Sequence, residues 1–460
     1  GPGRRPDPTA PLSVTASTGR AISNPLDPRN PLAGIYLATM LFELAEGALR
    51  FLVPLNLNAR GLGPASIGFV IFAFSATSLV GRGMTAGLFR PDRARRLIIG
   101  AGLASTIAYL ITPFVTDVAA FTVLMAIDGF GWGIATTCLL AMVMLCTPQS
   151  ISPGVAMGWY IGFQGIAFAI ATTVGGVLAQ VVGIQVAMLI LATVPVLAAS
   201  LISWRLPPVV RDTTPPVQDV STGAAAAAAG AETDSDTTGG RSIPGQRRLV
   251  EGVRVVLRHV GGLPIAVWAA ALVAVYLNVM NGLLQTFFPL LGLALGLSIA
   301  QIGTLSSVRS GISAVARFGA GWLFARIPPH RLHLPLLTLS AATLALLPSM
   351  GSYVMHLPLF ALNGISRGLL RVTTSASAME ETPGHLAGTA AAVMTSGLDV
   401  GKMVGPLIGG IVATALGLDT MFRLVPFGFL AVYLVLFFGA RRRGGPRAQR
   451  NVDQRSNRTG

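Results

Sequence analysis

Glu43-Leu44-Ala45-Glu46-Gly47-Ala48-Leu49-Arg50 recurs in altered form, at an offset of 235, as Asn278-Val279-Met280-Asn281-Gly282-Leu283-Leu284-Gln285. The same offset pairs Pro54-Leu55 with Pro289-Leu290, and Ile67-Gly68 with Ile302-Gly303. It pairs Ser78, Arg82 and Leu88-Phe89 with Ser313, Arg317 and Leu323-Phe324, and Asp128-Gly129 and Gly133 with Asn363-Gly364 and Gly368. Chance matches would scatter over many offsets, so the chain is two copies of one unit. The copies differ in their chemistry. Where the first carries Glu43, Glu46, Arg50 and Asp128, the second carries Asn278, Asn281, Gln285 and Asn363. The shape was kept, and at these positions the ionisable groups were confined to one half.

Composition places that unit in a membrane. Of 460 residues, 52% are hydrophobic and 11% charged, against about 25% charged in a soluble protein. Apolar runs of about 20 residues, enough to cross a bilayer, fall near 33–55, 65–82, 97–115, 119–145, 154–178, 185–204, 263–287, 299–320, 333–350, 354–376, 388–414 and 420–440. The expected fold is an all-α membrane protein of twelve transmembrane helices, six on each side of a polar stretch. Six is even, so both copies enter the bilayer in the same sense, as parallel repeats about an axis along the membrane normal.

The net charge of +15 orients the chain. With a cytoplasmic N-terminus, Arg90, Arg93, Arg95, Arg96, Arg205, Arg211, Arg326, Arg331 and Arg441 to Arg443 are all cytoplasmic, and the external loops hold only Arg60. This is the positive-inside pattern, and it puts both termini in the cytoplasm. The basic residues meet anionic lipid rather than nucleic acid.

The chain divides accordingly. Residues 1–30 form a polar N-terminus, expected to be disordered and without the apolar core of a signal peptide. The first half is 31–205 and the second 263–440. Between them, 206–262 is a cytoplasmic linker whose composition cannot bury enough surface to fold. Within it, 247–260 sets Leu249, Val253, Val256 and Leu257 on one face and Arg247, Arg254 and Arg258 on another, the pattern of an interfacial helix. Residues 441–460 are a basic tail. Cys138 and Cys146 both fall in the fourth span, and the five histidines form no cluster. No metal site, phosphate-binding loop or cofactor is expected, and no nucleophile–base pair suggests an enzyme.

Charged groups near the bilayer centre are costly unless they face protein or water, and they mark function by default. Glu43, Glu46 and Arg50 share one face of the first span. Glu46 and Arg50 stand at i,i+4, the better orientation for a helical ion pair. That leaves Glu43 less well compensated and suited to loading and releasing a proton. Asp128, in Asp128-Gly129-Phe130-Gly131-Trp132-Gly133, is the third candidate for proton coupling. Trp132 is either packing or a platform for a substrate ring.

The second half has its own charges. Lys402, the only lysine, follows Asp399 by three residues, and Arg309, Arg367 and Arg371 fall within spans. Arg309, Arg367 and Lys402 need partners: acids of the first half, Asp399 or a substrate anion. Arg371 reaches the interface by snorkelling. Arg82 and Arg317, at matched span ends, read as gate or anchor residues. Asn278, Asn281, Gln285 and Asn363 are amides able to hydrogen-bond a substrate without taking a proton. The expected substrate set is Arg50, Trp132, Asn278, Asn281, Gln285, Arg309, Asn363, Arg367, Asp399 and Lys402, with Glu43, Glu46 and Asp128 for protons. A cavity with acids and Arg50 on one wall and cations and amides on the other suits a zwitterionic or acid-bearing molecule. It suits a sugar less well, because only 7% of the chain is aromatic.

Gly401-Lys402-Met403-Val404-Gly405-Pro406-Leu407-Ile408-Gly409-Gly410 in span eleven has the form GxxxGPxxGG. Gly87-Leu88-Phe89-Arg90-Pro91-Asp92-Arg93-Ala94-Arg95-Arg96 after span two is similar to GxLaDRxGRR. On these motifs and its paired halves the chain resembles the major facilitator superfamily. The antiporter signature of that form belongs in span five, where Gly158, Gly162 and Gly175-Gly176 stand without the Gly-Pro. Glu43 to Glu46 with Arg50-Phe51 is similar to the ExxERF of proton-dependent peptide transporters, with the arginine three residues late. Drug:proton antiporters also carry acids in span one. The resemblance implies a bacterial inner-membrane protein, acting as a monomer, that exports a small organic molecule, a drug or metabolite, against protons by alternating access at a midplane site. The alternatives are proton-coupled uptake of an anionic or zwitterionic nutrient, and a non-transporting membrane sensor or assembly partner that kept the fold.

Overall fold

The computed structural model describes residues 32–148, 151, 153–205, 263–324, 326–382 and 386–443. The expected N-terminal segment, linker, interfacial helix and most of the basic tail lie outside them. Apart from two short 3-10 turns, the elements are α-helices. The first half comprises α1 (Ala33–Ala59), α2 (Pro64–Leu88), α3 (Pro91–Ile111), α4 (Val118–Cys146), α5 (Pro153–Val182), α6 (Ile184–Ala192) and α7 (Val194–Arg205). The second comprises α8 (Ile265–Ala294), α9 (Ile299–Phe324), α10 (Pro329–Leu346), α11 (Tyr353–Glu381), α12 (Ala387–Leu416) and α13 (Leu418–Arg443).

Among the described residues nine helical segments are long and apolar enough to cross a membrane, α6 and α7 counting as one. The remaining three, α1, α9 and α11, run to 27, 26 and 29 residues, or about 40 Å at 1.5 Å per residue. Their apolar character is diluted by the charges already singled out: Glu43, Glu46 and Arg50; Arg309 and Arg317; Arg367 and Arg371. Together they make the twelve spans. Span six is broken where a single helix was expected. Thr193 closes α6 and Pro195, which has no N–H to give, sits in the first turn of α7, as proline at a helix start prefers.

The repeat is visible in how helices touch. Gly129 of α4 lies against the Phe74 carbonyl of α2, and Gly364 of α11 against the Arg309 carbonyl of α9. Gly133 meets Ser78, and Gly368 meets Ser313. Each pair differs by the same 235. Small residues let backbones approach closely, which supplies packing where lipid removes any hydrophobic drive between helices.

The two halves meet along α2–α12 and α5–α9, again as a symmetric pair. At the outer ends Gly68 sits on the Pro406 carbonyl and Gly303 on the Thr172 carbonyl. Gly410 faces the Pro64 carbonyl, and Gly176 that of Ile299. The Ala65 amide donates to Thr414 Oγ1 at 2.9 Å, and Ser307 Oγ bonds Thr172 and Thr173 at 2.8 and 2.7 Å. These contacts close the external side. The GxxxGPxxGG stretch supplies one strip of this packing, with Gly401 and Gly405 also set against the α8 backbone. A side chain at Gly68 or Gly303 would run into backbone, so Gly68→Ala with Gly303→Ala should loosen the outer seal. A cysteine placed at Ala65 should then react faster with an impermeant thiol reagent. An unchanged rate would show that the glycine contacts do not hold the seal.

Candidate functional site

Inside the seal lies a cavity of about 430 Å³ between the halves, lined by α1, α2, α4 and α5 of the first and α8, α9, α11 and α12 of the second. It reaches from midplane toward the cytoplasmic ends, where Arg82, Arg317 and Arg371 stand on its wall. Of the residues expected at the site, Glu43, Arg50, Trp132, Asn278, Asn281, Gln285, Arg367, Asp399 and Lys402 line it.

The acids of the first half separate into two layers. Glu43 faces the cavity but is only 5% exposed, and Gln164 Nε2 donates to its Oε1 at 2.8 Å. Glu46 is fully buried one turn further along. Arg50 Nε donates to Glu46 Oε1 at 2.8 Å, and Tyr109 Oη reaches the same oxygen at 3.4 Å. The Arg50 guanidinium lies 4.4 Å above the Trp132 ring and 4.8 Å above Phe74. Arg50 thus covers Glu46 and presents its own charge to the cavity.

Asp128 does not face the cavity, contrary to expectation: it is fully buried. Gly129 and Gly133 dock α4 on α2, while Gly131 approaches the Ala101 carbonyl of α3. That geometry turns Asp128 toward Ser105 and Tyr109 of α3 and Glu46 of α1, none of them in full hydrogen-bond geometry with its carboxylate. Glu46 and Asp128 form an inner acid pair behind Arg50.

Two residues expected to touch substrate are engaged elsewhere. Arg309 is 3% exposed, and its Nη2 donates to Asn281 Oδ1 at 2.7 Å. The packing of Gly364 on its backbone directs it to α8, beside a recess of about 20 Å³ away from the main cavity. Asn363 is buried, with Nδ2 donating to Thr343 Oγ1 at 3.1 Å, a tie between α11 and α10. Asn278 lines the cavity but spends its amide on the Leu398 carbonyl at 2.7 Å.

Asp399 has a nearer partner than Lys402. Arg82 Nη1 lies 3.3 Å from Asp399 Oδ1, joining the halves, while Lys402 Nζ is at 4.0 Å. Arg82, expected as a gate or anchor residue, also lies 4.7 Å from the Trp132 ring and Lys402 lies 5.7 Å from it. Trp132 is therefore ringed by three cations, one of them from the second half. Each such contact contributes about 0.5–2 kcal/mol as water is excluded. Gln164 and Tyr109 were not foreseen. The offset does point to Gln164, since 235 further on stands Asp399. In the first half the acid is on span one and the amide on span five; in the second the amide is on span seven and the acid on span eleven.

The family model of the Major Facilitator Superfamily matches residues 35–401 and 282–459. No curated protein matches the chain. Among solved structures, it is similar to a bacterial homologue of the human lysosomal transporter Spinster, in an inward-facing and occupied conformation. The identity is 13%, covering 91% of this chain and 98% of that one, with a TM-score of 0.68. The unoccupied inward-facing form gives 14%, 89%, 95% and 0.66. The nucleoside transporter NupG gives 12% identity over 91% of this chain and 100% of that one, with a TM-score of 0.65. At these identities the likeness is one of fold.

Proposed function

The chain belongs to the Major Facilitator Superfamily, a multi-pass membrane transporter rather than an enzyme, and from that premise we propose that it is a proton-coupled exporter of an acid-bearing small organic molecule in a bacterial inner membrane. The supporting observation is the charge on the cavity wall. Arg50, Arg82, Arg317, Arg367, Arg371 and Lys402 stand against two carboxylates, Glu43 and Asp399. The deeper of these cations, Arg50, Arg367 and Lys402, need counter-charge within the membrane, and an anionic substrate supplies it. With the outer side sealed, the cavity is placed to load from the cytoplasm. An anion leaving a cell that is negative inside gains about 2.3 kcal/mol per charge for each 100 mV.

The proposed cycle uses the residues in distinct roles. Arg50, Arg367 and Lys402 hold the substrate's acid, while Trp132 and the Asn281 and Gln285 amides contact its body. The halves rock about this site, and the glycine contacts at the outer ends part. Glu43, facing the cavity beside Arg50, takes a proton from the outside as the anion leaves and returns it inside. One contact favours a second reading. Arg50 is bonded to Glu46, so an anion that draws Arg50 away leaves Glu46 needing a proton. Anion and proton would then load together, as in uptake.

Proteoliposomes containing a pH dye and a panel of radiolabelled organic acids distinguish these readings. Acid leaving as the lumen acidifies is antiport. Acid and protons leaving together is symport and favours the second reading. No flux for any acid would contradict an acid-transporting role.

A further inference from the structure

We infer that the second-half wall of the cavity is a subsite for a doubly charged oxyanion, such as a phosphate monoester, and not for a single carboxylate. The inference rests on the reading of the cavity as an anion site and makes its substrate class narrower. Arg317, Arg367 and Arg371 line the cavity together, from adjacent turns of α9 and α11. They stand close enough to repel one another, and Arg309 adds its charge from behind. Among the described residues no carboxylate lies within ion-pair distance of any of the three. The one acid of this wall, Asp399, is already engaged by Arg82 at 3.3 Å and Lys402 at 4.0 Å.

Helix packing does not call for such an excess. Arg309 is buried and Arg317 and Arg367 are half-buried, with Arg371 at the open side of the same wall and Asp399 the one acid near it, so the excess of positive charge destabilises the empty protein unless something negative visits. Arg317 Nε is buried in this wall with no hydrogen-bond partner among the described residues, a donor left open beside the cavity. Arginine is also the residue type matched to this ligand. Its planar fork gives paired N–H donors to two oxygens of one phosphate, and it loses water more readily than an ammonium. One carboxylate offers two oxygens and one charge, enough for one arginine. A phosphate dianion offers three oxygens and nearly two charges, enough for the Arg317–Arg367–Arg371 set. The first-half wall differs: Trp132 and Phe74 flank Arg50, so the organic part of the ligand lies against these rings, with Arg50 facing its oxyanion from one side and Arg317, Arg367 and Arg371 from the other.

Thermal melts of the purified full-length protein with phenyl phosphate or benzoate test this, because the two probes share a ring and differ in the anion. At about pH 8 phenyl phosphate is a dianion, its second ionisation lying near pH 6, and it should raise the melting temperature well above the rise given by benzoate. Near pH 5 it is mostly a monoanion, and the advantage should disappear. Arg317→Gln should remove the advantage at the higher pH while leaving the response to benzoate, and Arg367→Gln, which also takes away a cation that holds any acid, should remove the advantage and weaken both responses. If Arg367→Gln does not fold, Arg367→Lys, which keeps charge but not the fork, should still lower it. The phosphate could arrive free or on a lipid headgroup. Melts in phosphatidylcholine nanodiscs with and without phosphatidic acid separate the two, since a headgroup ligand would pre-empt the phenyl phosphate effect. Equal shifts from both probes, or an advantage that survives both arginine changes, would overturn the dianion subsite and leave the anion cavity standing. No shift from either probe would count against both.

Discussion

Arg50→Ala should cost the folded protein about 3–5 kcal/mol, the loss that follows when one partner of a buried pair is removed and the other is left charged. The expected penalty is large because Arg50 covers two acids. Glu46, fully buried, bonds it at 2.8 Å, and Asp128 lies behind with neither oxygen in a full hydrogen bond among the described residues. The guanidinium is also packed between Trp132 and Phe74, so alanine opens a gap as well as stranding charge. Two controls separate these contributions. Adding Glu46→Gln to Arg50→Ala should restore most of the lost stability, because the amide needs no counter-charge. Lowering the pH should narrow the gap between Arg50→Ala and the parent, because a protonated Glu46 is no longer an unpaired charge. Melting temperatures in one detergent across a pH series check both. An Arg50→Ala protein that melts with the parent at neutral pH would show that Arg50 does not neutralise the inner acids.

Much of this architecture was legible because a repeat leaves two independent copies of every packing constraint. The offset of 235 between Gly129 and Gly364, or Gly133 and Gly368, appears in sequence as matched letters and in the fold as matched backbone contacts. Apolar length gave the spans, and the arginines gave their sense. The pairing of Glu46 with Arg50 followed from spacing within one helix. What spacing could not give was which of two neighbouring faces of a helix meets the cavity. Asp128 and Trp132 are a turn apart, yet Trp132 lines the cavity and Asp128 points toward α3, because glycines at 129, 131 and 133 press α4 against helices on two sides. The partners of Arg309 and Asn363 were hidden for a related reason. Each is satisfied by a neighbouring helix of its own half, Asn281 of α8 and Thr343 of α10, and a single sequence does not record which helices pack together. The Arg82–Asp399 pair joins residues 317 apart in sequence and depends on the closure of one half on the other. The break in span six could be read locally, since Pro195 lies within the run.

Glu43→Asn should abolish transport driven by a pH gradient while sparing substrate binding and exchange. The change borrows a side chain the architecture already accepts, since Asn278 occupies the matched site 235 residues on. It removes a charge that faces the cavity and is hydrogen-bonded by Gln164 at 2.8 Å, while the nearby Arg50 and Arg82 keep their ion-pair partners Glu46 and Asp399. Glu46→Asn should behave differently: it frees Arg50 and should lower stability before it affects coupling. The decisive measurement uses proteoliposomes containing parent or Glu43→Asn protein, each assayed for flux of one transported acid under an imposed pH gradient and for exchange with no gradient. The expected result is parent flux that follows the gradient, and Glu43→Asn exchange that persists with gradient-driven flux at the level of empty liposomes. A Glu43→Asn protein that still moves the acid against its concentration under the pH gradient would contradict proton coupling at Glu43 and move it to the inner pair, Glu46 and Asp128.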